Sequence, residues 1–424
     1  MEEYKKRIID DLIKEKLGSK GAILLEGPKW CGKTTSCEQV AKSILYMANP
    51  RFVKQNLMLA DSDPEILLRG DTPRLIDEWQ IAPKLWDAIR FEVDQRRSFG
   101  QFILTGSSVP IDTSEIIHTG TGRFTWLKMR PMSLFESKES NGSVSLENLF
   151  NKKEKIYGES NLTLEDIAFL ICRGGWPIAT YLKGKSALSQ AIDYYDAVIN
   201  IDLSRVDNIK KDPEKIKRIM ASYAGNQGTQ ISYNTILEDI KINEEDNISI
   251  KTVTSYIDAL KRIFVIEDMK AWNPNLRSKT PIRRADTRYF IDPSIASSSL
   301  GFGPGDLIND LNTFGIMFET LAIRDLRIYA ESIDGTVYHY RDKNNLECDA
   351  VVHLKNGNYG LVEIKLGGDK LIEEGAKNLL KLKSILDTDK MKAPSFLLVL
   401  TAIGNIAYTR EDGVIIVPIG CLKN

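Results

Sequence analysis

The sequence predicts an α/β fold: a parallel sheet with flanking helices, then a helical stretch, then a second α/β unit. Three observations carry that expectation. The apolar run Ala22-Ile23-Leu24-Leu25 leads into Gly27-Pro28-Lys29-Trp30-Cys31-Gly32-Lys33-Thr34, so a buried strand runs into a glycine-punctuated loop. A second apolar strand, Gln101-Phe102-Ile103-Leu104-Thr105, ends in the small polar residues Gly106-Ser107-Ser108. Far downstream, strand-like segments at 336–340, 347–354 and 359–365 follow a long helical pattern, with turns at Lys343-Asn344-Asn345 and Asn356-Gly357-Asn358.

At 424 residues the chain has material for several cores, and we expect four units, at 1–136, 137–211, 212–290 and 291–424. Lys plus Arg (57) nearly cancels Asp plus Glu (58), so any nucleic-acid surface has to be a local patch. Five scattered Cys without a CxxC pair suggest reduced thiols, and three His offer little for a histidine metal site. Residues 1–20 are charged throughout and lack a signal peptide's apolar core. No apolar run approaches membrane-spanning length, so the expectation is a soluble cytoplasmic chain with no membrane partner.

The stretch Gly27 to Thr34 has the spacing G-x-x-x-x-G-K-[ST] of a phosphate-binding P-loop. Such a loop wraps a triphosphate so that successive backbone N–H groups point inward. Gly27 and Gly32 supply conformations or closeness that a side chain would obstruct, while Pro28, Lys29, Trp30 and Cys31 make up the turn between them. Lys33 brings a cation to the β- and γ-phosphates, and the Thr34 hydroxyl is a Mg²⁺ ligand. Thr35 opens a helix expected over 35–45, its N-terminus toward the phosphates. The implied cofactors are ATP and Mg²⁺.

Arg74-Leu75-Ile76-Asp77-Glu78 places an acidic pair at a strand end. We assign Asp77 to the metal and Glu78 to the attacking water. Ser107 or Ser108 can reach the γ-phosphate from its own strand end, and Arg123 is a candidate cation for the transferred phosphoryl group, in its own site or in that of a neighbouring copy in a homo-oligomer. Around these, residues 4–17 read as an amphipathic helix, 56–60 as a short strand and 89–97 as a helix.

Together the P-loop, Asp77-Glu78, Thr105-Gly106-Ser107-Ser108 and the stretch from Gly122-Arg123-Phe124 to Arg130-Pro131-Met132-Ser133-Leu134 resemble the AAA-type ATPases. More narrowly, they resemble the prokaryotic branch, described as archaeal-type, whose C-terminal half is the domain of unknown function DUF4143. The resemblance implies an α/β ATPase core with a helical lid. Residues 137–160 read as a polar excursion, and 162–209 as helical with a break at Gly174-Gly175-Trp176-Pro177 that resembles the lid turn of these ATPases. Helical patterns at 214–224, 232–240 and 249–262, then a strand at 264–269, resemble a winged helix-turn-helix. Its last helix would expose Lys251, Thr252, Thr254 and Ser255, with Lys261 and Arg262 at its end, for DNA or for packing against another domain. Arg277, Lys279, Arg283, Arg284 and Arg288 make 273–288 the most basic segment, suited to a phosphate backbone or to a solvated loop.

In the last unit, Glu319 lies on a helix, Asp349 on a strand, and Glu363 and Lys365 two residues apart on the next, so the latter share a face. This order resembles the restriction-endonuclease-like fold of PD-(D/E)XK nucleases, with Cys348 where the motif name has Pro. The resemblance implies that Asp349 and Glu363 bind Mg²⁺, that Glu319 supports the metal, and that Lys365 orients or activates water. The reading is an ATPase coupling nucleotide state to a winged helix and a nuclease-like region acting on DNA. The alternative is a nucleotide-dependent switch whose C-terminal domain binds nucleic acid or protein without cutting.

Overall fold

Ala22–Glu26 forms β1, enclosed apart from its last residue, as an uninterrupted apolar run requires in a parallel sheet covered on both faces. This computed structural model describes residues 3–109, 119–151, 155–203, 211–241, 248–274, 285–387 and 391–424. Helix α1 (Ile8–Leu17) precedes β1 and buries Ile9, Leu12, Ile13 and Leu17. After the glycine loop come α2 (Lys33–Glu38), β2 (Ser43–Tyr46), α3 (Val53–Ser62), α4 (Pro64–Leu68), β3 (Arg74–Asp77), α5 (Leu85–Arg96), β4 (Phe102–Gly106) and β5 (Phe124–Lys128). The strands make a five-stranded parallel sheet in the order β2-β3-β4-β1-β5. Its register sets Leu25 beside Thr105 and Thr105 beside Asp77, which aligns the C-terminal ends of β1, β3 and β4.

Two local expectations are corrected here. The helix expected over 35–45 ends at Glu38, and Ser43–Tyr46 becomes the edge strand β2, exposing alternate side chains. Ile44, Leu45 and Tyr46 suit a half-buried strand, and pairing to β3 outweighs local helical preference. The strand expected at 56–60 lies inside α3, where Asn56 and Ala60, four residues apart, form its buried face.

The polar excursion beyond residue 137 is largely structured. After α6 (Leu134–Ser137) come β6 (Val144–Ser145), α7 (Leu146–Asn151) and β7 (Gly158–Glu159). The helical part comprises α8 (Leu164–Arg173), α9 (Gly184–Ala197) with a π-helical turn at Val198–Asp202, α10 (Pro213–Gly225), α11 (Tyr233–Ile240), α12 (Ile250–Arg262), α13 (Pro293–Leu300) and α14 (Pro304–Asn309). Among the described residues, the strand expected at 264–269 pairs only through isolated bridges, Ile266 with Phe290 and Met269 with Thr287.

The long helix α15 (Leu311–Ser332) then lies against β8 (Gly335–Arg341), β9 (Glu347–Leu354) and β10 (Tyr359–Lys365). The remainder is α16 (Asp369–Ile385), β11 (Leu397–Thr401), β12 (Ile406–Thr409), β13 (Ile415–Pro418) and β14 (Leu422–Lys423). The second sheet is mixed and seven-stranded, in the order β7-β12-β13-β11-β10-β9-β8, so the excursion supplies one of its edges. β6 pairs with β14 as well, tying the excursion to the chain's last strand. Among the described residues no helix is long and apolar enough to cross a membrane.

The two α/β parts are joined through buried charge. Arg130, just past β5, pairs with Glu267 at 2.8 Å and with Glu331 on α15 at 2.6 Å. Glu267 also meets Lys128 at 3.2 Å and Arg327 at 3.5 Å. Burial alone would raise the Glu267 pKa, but Arg130, Lys128 and Arg327 hold it well below the carboxylate range. Removing one partner leaves the other charge buried and unpaired. Arg130→Ala is therefore expected to cost about 3–5 kcal/mol in urea unfolding, and the more exposed Lys128→Ala under about 1 kcal/mol.

Candidate functional site

The chain leaves β1 at Gly27, where φ is +158° and an added Cβ would stand 2.1 Å from the Met129 carbonyl oxygen. Only glycine allows the loop to pass that close to the segment after β5. Trp30 (φ 66°) and Gly32 (φ 100°) take left-handed conformations that fold the loop back on itself. Inside the loop, the buried Lys33 ammonium donates to the carbonyls of Gly27 at 2.9 Å and Pro28 at 2.8 Å. Lys29, on the outer side, forms an ion pair with Asp202 of the π-helical turn, and the half-exposed Trp30 ring lies 6.0 Å from that of Tyr194 on α9. Cys31 is buried, and Thr35, in the first turn of α2, accepts a hydrogen bond from Gln39 through its carbonyl.

The aligned strand ends bring the acidic pair to this loop. Thr34 and Thr105 each donate a hydroxyl to the same oxygen, Asp77 Oδ1, both at 2.7 Å. Glu78 sits in a left-handed conformation (φ 58°, ψ 43°) immediately after β3, a strained position for a non-glycine residue. Its Oε2 accepts hydrogen bonds from Ser107 at 3.0 Å and from Gln80. A cation, three hydroxyls and two carboxylates thus gather at the C-terminal strand ends, a donor set that fits a nucleoside triphosphate with its divalent ion. Thr105 and Gln80 were missed by sequence reasoning. The parallel register that carries Thr105 to Asp77 is a pairing that one strand does not reveal by itself.

Arg123 is a correction as regards its own site. It immediately precedes β5 at the opposite end of the sheet, where its carbonyl accepts from Ala22, the first residue of β1. At the rise of an extended strand, four residues of β1 put about 13 Å between it and the loop. Its guanidinium pairs instead with Asp94 at 2.8 Å.

A second cluster forms in the mixed sheet. Lys365 Nζ lies 2.7 Å from Glu363 and 3.2 Å from Asp349 on the neighbouring strand. Asp349 also accepts from the Ile364 amide at 2.7 Å, and Glu363 accepts from Asn378 of α16 at 2.7 Å. Glu319 is brought to the same group, but it accepts a hydrogen bond from the buried Tyr289, and a Cβ on Gly228 would meet its Oε1 at 3.0 Å. Burial, and secondarily Asp349, pushes Glu319 up to about 8 and Glu363 up to about 7. Burial acts to lower Lys365, yet Asp349 and Glu363 outweigh it and raise its pKa. Among the described residues no three His, Cys, Asp or Glu side chains are arranged to hold a metal ion. The expected set of Glu319, Asp349 and Glu363 is therefore near but not convergent, because Lys365 bridges two of its members and Tyr289 engages the third.

Two of the expected basic residues share one carboxylate. Arg288 is buried, 2.6 Å from Asp268, and Lys261 meets the same carboxylate at 2.7 Å. Arg277, Lys279, Arg283 and Arg284 lie outside the described residues. Lys251 is exposed on α12, whose outer face also carries Thr254, Ser255 and Asp258 around an open hollow.

Residues 19–138 match the family described as "AAA domain", 164–306 a domain of unknown function (DUF8612), and 314–422 a domain of unknown function (DUF4143). No curated protein matches the chain significantly. Among solved structures, it is similar to the Walker-type ATPase PABY2304 of Pyrococcus abyssi, at 13% identity over 70% of this chain and 96% of that one, with a TM-score of 0.41. It is also similar to PH0952 of Pyrococcus horikoshii, a Signal Transduction ATPase with Numerous Domains (STAND) protein with a tetratricopeptide repeat sensor. That match has 12% identity over 78% of this chain and half of that one, with a TM-score of 0.26.

The raised carboxyls fix a pH dependence. Glu319 and Glu363 hold protons more tightly in the folded chain than at their ordinary value of 4.5. The stability they contribute is complete below that value and is lost as pH rises through about 7 and 8. Glu319→Gln removes part of that loss. It is expected to raise the unfolding temperature clearly at pH 9 and little at pH 5.5; equal changes at both would contradict the charge argument.

Proposed function

We propose that this AAA-type ATPase with a C-terminal DUF4143 domain binds ATP in the loop Gly27 to Thr34, including Thr35, and hydrolyses it with the acidic pair that follows β3. The observation that carries the reading is the meeting of Thr34 and Thr105 on Asp77 Oδ1, with Glu78 alongside. In this reading the Lys33 ammonium exchanges the Gly27 and Pro28 carbonyls for phosphate oxygens. Thr34 and Asp77 hold Mg²⁺, Glu78 polarises the attacking water, and Ser107, bonded to Glu78, answers to the γ-phosphate. Gln80 orients the same carboxylate. Arg123 would serve only the site of a neighbouring copy. Bound magnesium supplies charge neutralisation across the phosphate oxygens.

For the DUF4143 domain we propose a divalent-ion-dependent site acting on the phosphodiester backbone of DNA, with the outer face of α12 as a second contact. Asp349 and Glu363 on adjacent strands, with Lys365 between them, support this reading. Engagement of a metal requires Lys365 to leave at least one carboxylate, and Glu319 to part from Tyr289. Lys365 would then hold the water or a phosphate oxygen. The alternative, a switch that binds DNA or protein without cutting, keeps these charges as a structural knot.

Steady-state phosphate release tests the first part. Lys33→Ala is expected to weaken nucleotide binding by about tenfold or more, and Glu78→Gln to leave binding intact while slowing hydrolysis by about a hundredfold or more. Wild-type turnover in Glu78→Gln would refute its role. Incubation with plasmid and single-stranded DNA plus Mg²⁺ tests the second. Cleavage by the wild type and none by Asp349→Ala is expected; intact substrates in every lane would favour the non-cleaving switch.

A further inference from the structure

Nothing in the phosphate-loop pattern calls for Arg7, yet this N-terminal arginine is only 4% exposed and uses three nitrogens on three targets. Its Nη1 donates to the Cys31 carbonyl at 2.8 Å, its Nη2 to the Arg130 carbonyl at 2.8 Å, and its Nε to Glu136 at 3.0 Å. The flanking segment is fixed as well. The Arg7 amide donates to Asp10 at 2.8 Å, and the Tyr4 hydroxyl joins Asp10 at 2.8 Å to Ser36 of α2 at 2.8 Å. The N-terminal strap therefore grips the phosphate loop from behind and also holds the helix that follows it.

The Cys31 contact has a directional consequence. A peptide unit is planar and trans, so its C=O and N–H point opposite ways. Holding the Cys31 oxygen toward Arg7 aims the Gly32 N–H away from Arg7. Gly32, at φ 100°, has the freedom to let that unit rotate, since no Cβ opposes it. Loss of the guanidinium would leave a buried carbonyl without this donor beside the most permissive residue type.

We propose that Arg7 is a positioning residue of the phosphate loop, holding the Cys31–Gly32 peptide so that the Gly32 amide faces a phosphate of the bound nucleotide. This role rests on the ATP-binding reading above. The same guanidinium references the loop to Arg130, whose side chain reaches Glu267 and Glu331, so the loop's orientation is set against the C-terminal half.

Calorimetric titration of the full chain with Mg·ADP tests the role, beside thermal unfolding in the same buffer. Arg7→Lys keeps the buried charge opposite Glu136 but loses the planar fork. Arg7→Met with Glu136→Gln removes the buried charges as a pair. Both are expected to fold and to bind Mg·ADP about tenfold or more weakly. In the wild type, saturating Mg·ADP is expected to slow hydrogen exchange at the Gly32 amide. Wild-type affinity in either folded variant overturns the proposal, and so does unchanged Gly32 exchange, which decides the matter even if neither variant folds. Failure of the wild type itself to bind Mg·ADP would instead remove the ATP reading, and the role of Arg7 with it.

Discussion

One carboxylate oxygen, Asp77 Oδ1, receives hydroxyls from two directions at the head of the N-terminal sheet. Thr34 arrives from the glycine loop and Thr105 from the neighbouring strand. That convergence depends on the parallel register of β1, β4 and β3, which stacks their ends without offset. Two hydroxyls fix the carboxylate, while the loop satisfies its own ammonium by folding Lys33 onto two of its carbonyls. In the ATP-binding reading, both arrangements would give way to a polyphosphate with its divalent ion.

Contacts then run outward from the site in two directions. Through Lys29 and Trp30 the loop touches the helical region at Asp202 and Tyr194. From the strand end that carries Ser107, Val109 donates its amide to the carbonyl of Arg262 at the close of α12. Arg130 adds a buried charge link to α15, the helix that bears Glu319. The C-terminal cluster is thus connected to the first site by packed, polar contacts, although its own carboxyls are engaged by Lys365 and Tyr289. Burial, with Asp349 second, raises two of its carboxyls, Glu319 and Glu363.

Much of this was legible in the sequence because its signals are local. An apolar run, two glycines and Lys33-Thr34 at fixed spacing place a strand, a turn and a helix in order, though not the helix's length. Period-two alternation puts Glu363 and Lys365 on one face. What was not legible depends on distant partners. Residues 43–46 form a strand because β3 is there to pair with them, and 56–60 form a helix because Asn56 and Ala60 have a surface to cover. Arg123 directly follows Gly122 in the sequence, but strand direction carries it to the far end of the sheet. Arg7 leaves no pattern at all, since its three acceptors come from residues 31, 130 and 136.

The most direct test is a structure of the chain with ADP, beryllium fluoride and Mg²⁺. The account predicts the nucleotide phosphates within the Gly27 to Thr34 turn, the Gly32 amide turned toward them, and Lys33 Nζ moved from the Gly27 and Pro28 carbonyls onto phosphate oxygen. A nucleotide bound elsewhere, with Lys33 still seated on those carbonyls, would contradict it.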